Sequence, residues 1–158
     1  MKRKTIAALL AGAFSMAATA ALAGECPADK RVADGQGQKM VTHGPKDVTD
    51  TVVATTDLSK EKVALNDHLF RARRLVIKAD GIVPWHSHDE RPAMIYIVKG
   101  TIIEYASNCA APIVHKAGDI SREARGTSHW WKNTGKETVE LISVDILPPQ
   151  MKKEEKMM

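Results

Sequence analysis

The sequence predicts a single all-β domain, a sandwich or barrel. Three observations carry this. Beyond the first 23 residues there is almost no helical periodicity. Short runs rich in Val, Ile and Thr recur at roughly even spacing, separated by Gly, Pro and Asn turns. The chain of 158 residues, 44% of them apolar, is long enough for one core. With three Trp, two Tyr and two Phe, that core must be packed mainly by Val, Ile and Leu.

The chain opens as a secretory signal peptide over residues 1–23. Met1-Lys2-Arg3-Lys4 is basic, Ile6 to Ala21 is small and apolar, and Ala21-Leu22-Ala23 has the small-x-small form of a cleavage site. The apolar run is short and Ala-rich, which sets it apart from a membrane span. The mature protein is then expected in the periplasm or secreted. No membrane attachment is expected after cleavage. Glu25 before Cys26 argues against a lipid anchor.

Residues 24–47 read as a polar, turn-rich N-terminal arm, with Gly35-Gln36-Gly37 and His43-Gly44-Pro45. The barrel domain is expected over 48–148. Its first strand is Val48 to Ala54, followed by a loop or short helical turn at Asp57 to Glu61. A second strand runs from Leu69 to Lys78, and Ala79-Asp80-Gly81 turns it. Val83 to His88 is a short strand whose Pro84 marks an edge or a bulge. Met94 to Val98 and Thr101 to Ala106, joined by Lys99-Gly100, read as a β-hairpin. Ser107 to Pro112 is a loop, Ile113 to His115 a short strand, and Lys116 to Asp119 a turn into Ile120. Ser128 to Lys132 and Glu137 to Ile146 are the last two strands, joined by the Asn133-Thr134-Gly135 turn. Pro148-Pro149 ends the domain, and 149–158 reads as a disordered tail.

Charge argues against one function class. Of 23 basic residues, Lys2, Arg3 and Lys4 leave with the leader, so 20 remain against 19 acidic ones. That balance gives a basic-patch reading for nucleic acid little support. A Gly-rich phosphate loop, heptads and internal repeats are likewise missing from the sequence. Cys26 and Cys109 are the two cysteines. In an oxidising compartment they either pair or remain as two free thiols, and their spacing fits no zinc or redox motif.

The chemistry concentrates at Gly81-Ile82-Val83-Pro84-Trp85-His86-Ser87-His88-Asp89-Glu90-Arg91-Pro92. Side chains two apart on a strand share a face, so His86 and His88 point the same way and form a natural pair of metal ligands. A second stretch, Gly118 to Asn133, carries His129 after a Gly turn. Together the two stretches resemble the paired motifs of the cupin family, G-x5-H-x-H-x3,4-E-x6-G and G-x5-P-x-G-x2-H-x3-N. The second motif matches at Gly118, Gly126, His129 and Asn133, with Ala124 in place of Pro. The first matches at Gly81, His86, His88 and Gly100, one residue short between Gly81 and His86, and has Ala93 where the family has its glutamate. The resemblance covers residues 69–147.

The resemblance implies a cupin-like jelly-roll barrel in which His86, His88 and His129 converge on a divalent metal. With Ala93 unable to bind, either the site is all-histidine or Glu90 is recruited. Strand parity puts Glu90 on the face of His86 and His88 if the strand continues that far. A carboxylate with imidazoles suits iron or manganese, whereas imidazoles alone also suit zinc, copper or nickel. Arg91 could meet an anionic substrate at the barrel mouth, although an exposed loop arginine is the commoner case. Trp131 shares the face of His129 while Trp130 and Trp85 face away, and packing is the commoner role for all three. His43, His68 and His115 lack ligand spacing and read as surface or structural residues. Asn133 reads as a turn cap. The functional expectation is a metal-dependent, dioxygenase-like or isomerase-like activity on a small molecule. The alternative is a non-catalytic module that binds a small ligand, with a structural metal or none. The resemblance also implies a homodimer.

Overall fold

A computed structural model describes residues 24–149. The leader expected at 1–23 and the tail from 150 lie outside the described residues. Eight strands follow in chain order: β1 (Lys46–Asp57), β2 (Leu69–Ser87), β3 (Ala93–Lys99), β4 (Thr101–Ala106), β5 (Ile113–Lys116), β6 (Ile120–Glu123), β7 (Ser128–Lys132) and β8 (Val139–Leu147). The only helical elements among the described residues are two short 3-10 turns, Ala28–Lys30 and Leu58–Lys60. Hydrogen bonding runs in the order β5-β4-β7-β2-β8-β3-β6, with β1 added along β2. The sheet curls into a nearly closed jelly-roll barrel, the architecture expected from the sequence.

Two expectations are corrected. The β3–β4 hairpin does not form. β3 pairs with β6 and β8, while β4 pairs with β5 and β7. Gly100, at φ +86°, sends the chain from one side of the barrel to the other, and a Cβ there would press on Val139 at 3.0 Å. Nor does the turn at 79–81 split two strands. β2 runs through it as one strand whose pairing with β1 slips between Ile77 and Ile82. Asp80 takes φ 58° there. Asn133 does more than cap its own turn. Its amide donates to the carbonyls of Ile77, Lys78 and Glu137 at 3.1, 3.0 and 2.7 Å, and its oxygen accepts from Gly135 N–H. It stitches the kink of β2 to the β7–β8 turn.

Strand alternation fills the barrel. At one end Leu75, Ile77, Ile95, Ile97, Ile102, Trp131, Val139 and Leu141 form the apolar core. Fully burying such a side chain contributes about 1.5–3 kcal/mol. Towards the other end the inward positions turn polar. On β8, Val139 and Leu141 give way to Ser143 and Asp145, and on β2, Ile77 and Leu75 give way to Arg73 and Arg71. Asp145 is completely buried and accepts from Arg71 Nε and Nη2 at 3.0 and 2.8 Å and from Arg91 Nη1 at 3.0 Å, with Arg73 Nη2 at 3.3 Å.

Burial works to raise the Asp145 pKa, but the hydrogen bonds and charges of its arginines hold it below the usual carboxylate value. A depressed carboxylate pKa stabilises the fold above the unfolded value near 4 and loses that contribution as pH falls through the folded value. Asp145→Asn is therefore expected to cost about 2 kcal/mol at neutral pH and to flatten the acid limb. Urea unfolding at pH 7 and pH 3 checks this. An unchanged gap between the two pH values would sink it.

The N-terminal arm is fixed. Cys26 and Cys109 are joined as a disulfide, which resolves the alternative left open by sequence. Around it, Val32 N–H donates to Asn108 O, Gly37 N–H to Ser107 O and Ala110 N–H to Lys30 O.

Candidate metal centre

His86 reaches the barrel interior because of a bulge. Val83 pairs with Trp131 and His86 with His129, so two residues of β2, Pro84 and Trp85, oppose Trp130 alone. This is the irregularity expected at Pro84. It leaves His86 directly across the ladder from His129. His88 follows the end of β2 and is held by its own N–H, which donates to Thr127 O at 2.9 Å. His88 and His129 are buried, and His86 is partly exposed.

The three Nε2 atoms form a near-equilateral triangle. His88 to His86 is 3.0 Å, His88 to His129 is 3.0 Å, and His129 to His86 is 3.1 Å. Each ring is oriented from behind through Nδ1. His86 Nδ1 donates to Pro84 O at 2.9 Å, His88 Nδ1 to Arg91 O at 2.8 Å, and His129 Nδ1 to the Glu104 carboxylate at 2.6 Å. Carbonyls and carboxylates only accept, so the ring proton of each neutral imidazole sits on Nδ1. When all three rings are neutral, their Nε2 lone pairs face one another, an arrangement that can hold a cation between them. Nitrogens ~2.1 Å from one ion stand ~3.0 Å apart when the bonds meet at right angles and ~3.4 Å apart when tetrahedral. The observed triangle matches the first.

Electrostatics agree. Burial and then the charges of His129 and His88 push the His86 pKa well below its usual value. Burial and His129 push His88 to about 3. Burial also disfavours charge on His129, but Glu123 and Glu104 overcome it and raise that pKa. Burial and neighbouring charge thus keep His86 and His88 neutral, while the two carboxylates favour positive charge next to His129.

Behind His129 lies a second group of potential ligands, Glu104, Glu123 and His129, all buried. Glu104 also accepts from His115 Nε2 at 2.8 Å. Burial alone would raise its pKa, but the charge and hydrogen bonds of His129 and His115 hold it at about 2. Glu123 Oε2 is 3.4 Å from His129 Nδ1, and Ser121 Oγ donates to its other oxygen at 2.5 Å. Burial raises the Glu123 pKa. Glu123 pairs across the ladder with Ala93, so a buried carboxyl stands opposite the position where the cupin motif has its glutamate.

Glu90 joins neither group. β2 ends at Ser87, extended geometry does not persist to residue 90, and Glu90 lies exposed. Arg91 turns inward to Asp145 instead of waiting at the mouth. His115 is structural, buried and stacked on Trp131 at 4.5 Å. Trp131 packs edge-on to His129, while Trp130 faces the other way and stacks on Tyr105 at 4.1 Å. Sequence reasoning did not single out Glu104 and Glu123. The available signal was a charged residue at an inward place between Ile102 and Ala106. A cavity of about 230 Å³ opens onto this side, with Glu104 and Glu123 lining it alongside Gly24, Cys26 and Arg122.

The family model described as a cupin domain matches residues 73–145. Similar solved structures include a predicted oxalate decarboxylase from Thermotoga maritima, 20% identical, TM-score 0.52, covering 78% of this chain and 98% of that one. The Schizosaccharomyces pombe Cnp3 cupin domain is 17% identical, TM-score 0.51, covering 73% and 76%. KdgF from Halomonas sp. is 14% identical, TM-score 0.50, covering 73% and 98%. Likeness at these identities is likeness of fold. Among curated proteins nothing matches.

Proposed function

The chain belongs to the cupin family through residues 73–145, and on that premise we propose that it is an exported cupin that holds a divalent metal on His86, His88 and His129 and acts there on a small molecule. The observation that carries this is the triangle of Nε2 lone pairs, 3.0–3.1 Å apart, with every Nδ1 proton already committed. Three imidazoles with no carboxylate among the proposed ligands suit iron, manganese, zinc or nickel. A bound ion would supply Lewis-acid polarisation or dioxygen activation, so the reaction class is dioxygenase-like or isomerase-like, by analogy with a fold that hosts many chemistries.

The chain's own residues do the positioning. Pro84 O, Arg91 O and Glu104 fix the three rings, and such outer partners set ligand tautomer and basicity. Trp131 and the apolar core close one side against water. Export is supported by the Ala21-Leu22-Ala23 cleavage pattern and by a disulfide that an oxidising compartment preserves. A homodimer is supported by the outer face of β3 and β6, where Met94, Tyr96, Val98 and Ile120 are exposed and Tyr96 pairs with Ile120.

A specific observation favours a second reading, a non-catalytic ligand-binding module. Ala93 takes the place of the motif's glutamate, and Glu90 stays outside. Elemental analysis of protein purified from its exported compartment separates the cases. About one metal per chain is expected, falling to near zero in His86→Ala, as loss of one of three ligands implies. Equal metal content in both proteins would overturn the metal reading. Metal without any His129-dependent turnover would favour the binding module.

A further inference from the structure

His115 is completely buried, yet its Nδ1 has no hydrogen-bond partner among the described residues. Its Nε2 faces the Glu104 carboxylate, which only accepts, so the ring proton sits on Nε2 and Nδ1 presents a bare lone pair. A buried acceptor left without a donor is destabilising. What packs on this atom is Gly24. A Cβ built there would lie 3.0 Å from His115 Nδ1 and 3.0 Å from Ile120 O. A side chain at position 24 would crowd both atoms.

Gly24 is also held firmly. Two residues on, Cys26 is bonded to Cys109. Between them, the Glu25 carboxylate pairs with Arg31 Nη2 at 3.2 Å and Arg122 Nε at 3.6 Å. Gly24 lines the same cavity as Glu104 and Glu123. Termini are ordinarily loose, so three clamps within three residues are unusual for an arm's first residues. The residues just before are Ala21-Leu22-Ala23, the cleavage pattern that makes Gly24 the first residue of the processed chain.

We infer that cleavage after Ala23 makes the Gly24 α-amino group a positioning element of the site, its N–H donating to His115 Nδ1. The contact closes a chain of hydrogen bonds from Gly24 through His115 and Glu104 to His129. An α-ammonium brings three donors and no residue in front of it, whereas the uncleaved chain offers one amide N–H with Ala23 attached. Export processing thus completes the support of a histidine that the metal reading makes a ligand. The inference rests on that reading only for its last link.

The test begins with the intact mass of the exported protein, expected to start at Gly24 with the disulfide formed. The α-amine is then acetylated under limiting reagent and followed by peptide mapping. In the folded wild type it is expected to react about tenfold slower than in His115→Phe, as one lost hydrogen bond of about 1.4 kcal/mol implies. A second comparison needs no substitution in the barrel. Protein starting at Gly24 and protein extended by Ala23 should differ in the nitrogen-15 resonance of His115 Nδ1, with the hydrogen-bonded position only in the former. A mature chain starting elsewhere, equal acetylation rates, or identical His115 resonances would each overturn the inference. None of these readouts depends on metal content, so failure here is distinct from failure of the metal centre.

Discussion

Glu104→Gln is expected to weaken metal binding by roughly ten- to a hundredfold while the barrel still folds. Glu104 holds two histidines at once, His129 through Oε1 and His115 through Oε2. Glutamine has one acceptor and one donor group, so one of the two rings must face an N–H. If that ring is His129, its Nδ1 becomes the acceptor, the ring proton moves to Nε2, and the lone pair needed for the metal is gone. Glu104→Ala goes further. It leaves both buried rings unsatisfied and should cost about 3–5 kcal/mol. Competition with a chelator measures the first effect and urea unfolding the second. Wild-type metal affinity in Glu104→Gln would mean that Glu104 is a structural carboxylate only.

The second large effect is expected from Cys109→Ser. The disulfide spans a sequence separation of 83 residues, and the loop it closes in the unfolded chain is worth about 4.5 kcal/mol in the chain-entropy account. Cys109 is completely buried against Ala106 and Ile113, so the variant keeps a small polar group where a packed sulfur belonged. Urea midpoints measured with and without reductant should separate for wild type and coincide for Cys109→Ser. A wild-type midpoint indifferent to reductant would refute this.

The features legible in the sequence were those written in local spacing. His86 and His88 sit two apart on a strand, and His129 sits three residues after Gly126. Strand parity paired His86 with His88, and the resemblance to the cupin motifs implied that His129 joins them. Pairing partners are not written locally. Met94 to Ala106 carries a hairpin's alternation and a Gly turn, but the strands that β3 meets are Ile120–Glu123 and Val139–Leu147, both beyond the strand that follows it in the chain. The Glu90 expectation failed for a related reason: parity holds only while a strand lasts, and β2 ends at Ser87. Glu104 and Glu123 stayed hidden because a carboxylate in a strand usually faces water. The pairing of Cys26 with Cys109 needed a geometry that two thiols alone do not supply.

The long strand β2 has a consequence for how the chain acquires its fold. Apart from β1, its partners are β7 and β8, and Leu69 meets Leu147. During synthesis the β1–β2 ribbon is the first pairing available, and β3 emerges with no later partner yet made. Closure therefore waits for residues 139–147. Such non-local pairing places folding in the millisecond-to-second range, and the open strand edges are exposed to aggregation for that interval. A chain that stops before Val139 has no way to close at all.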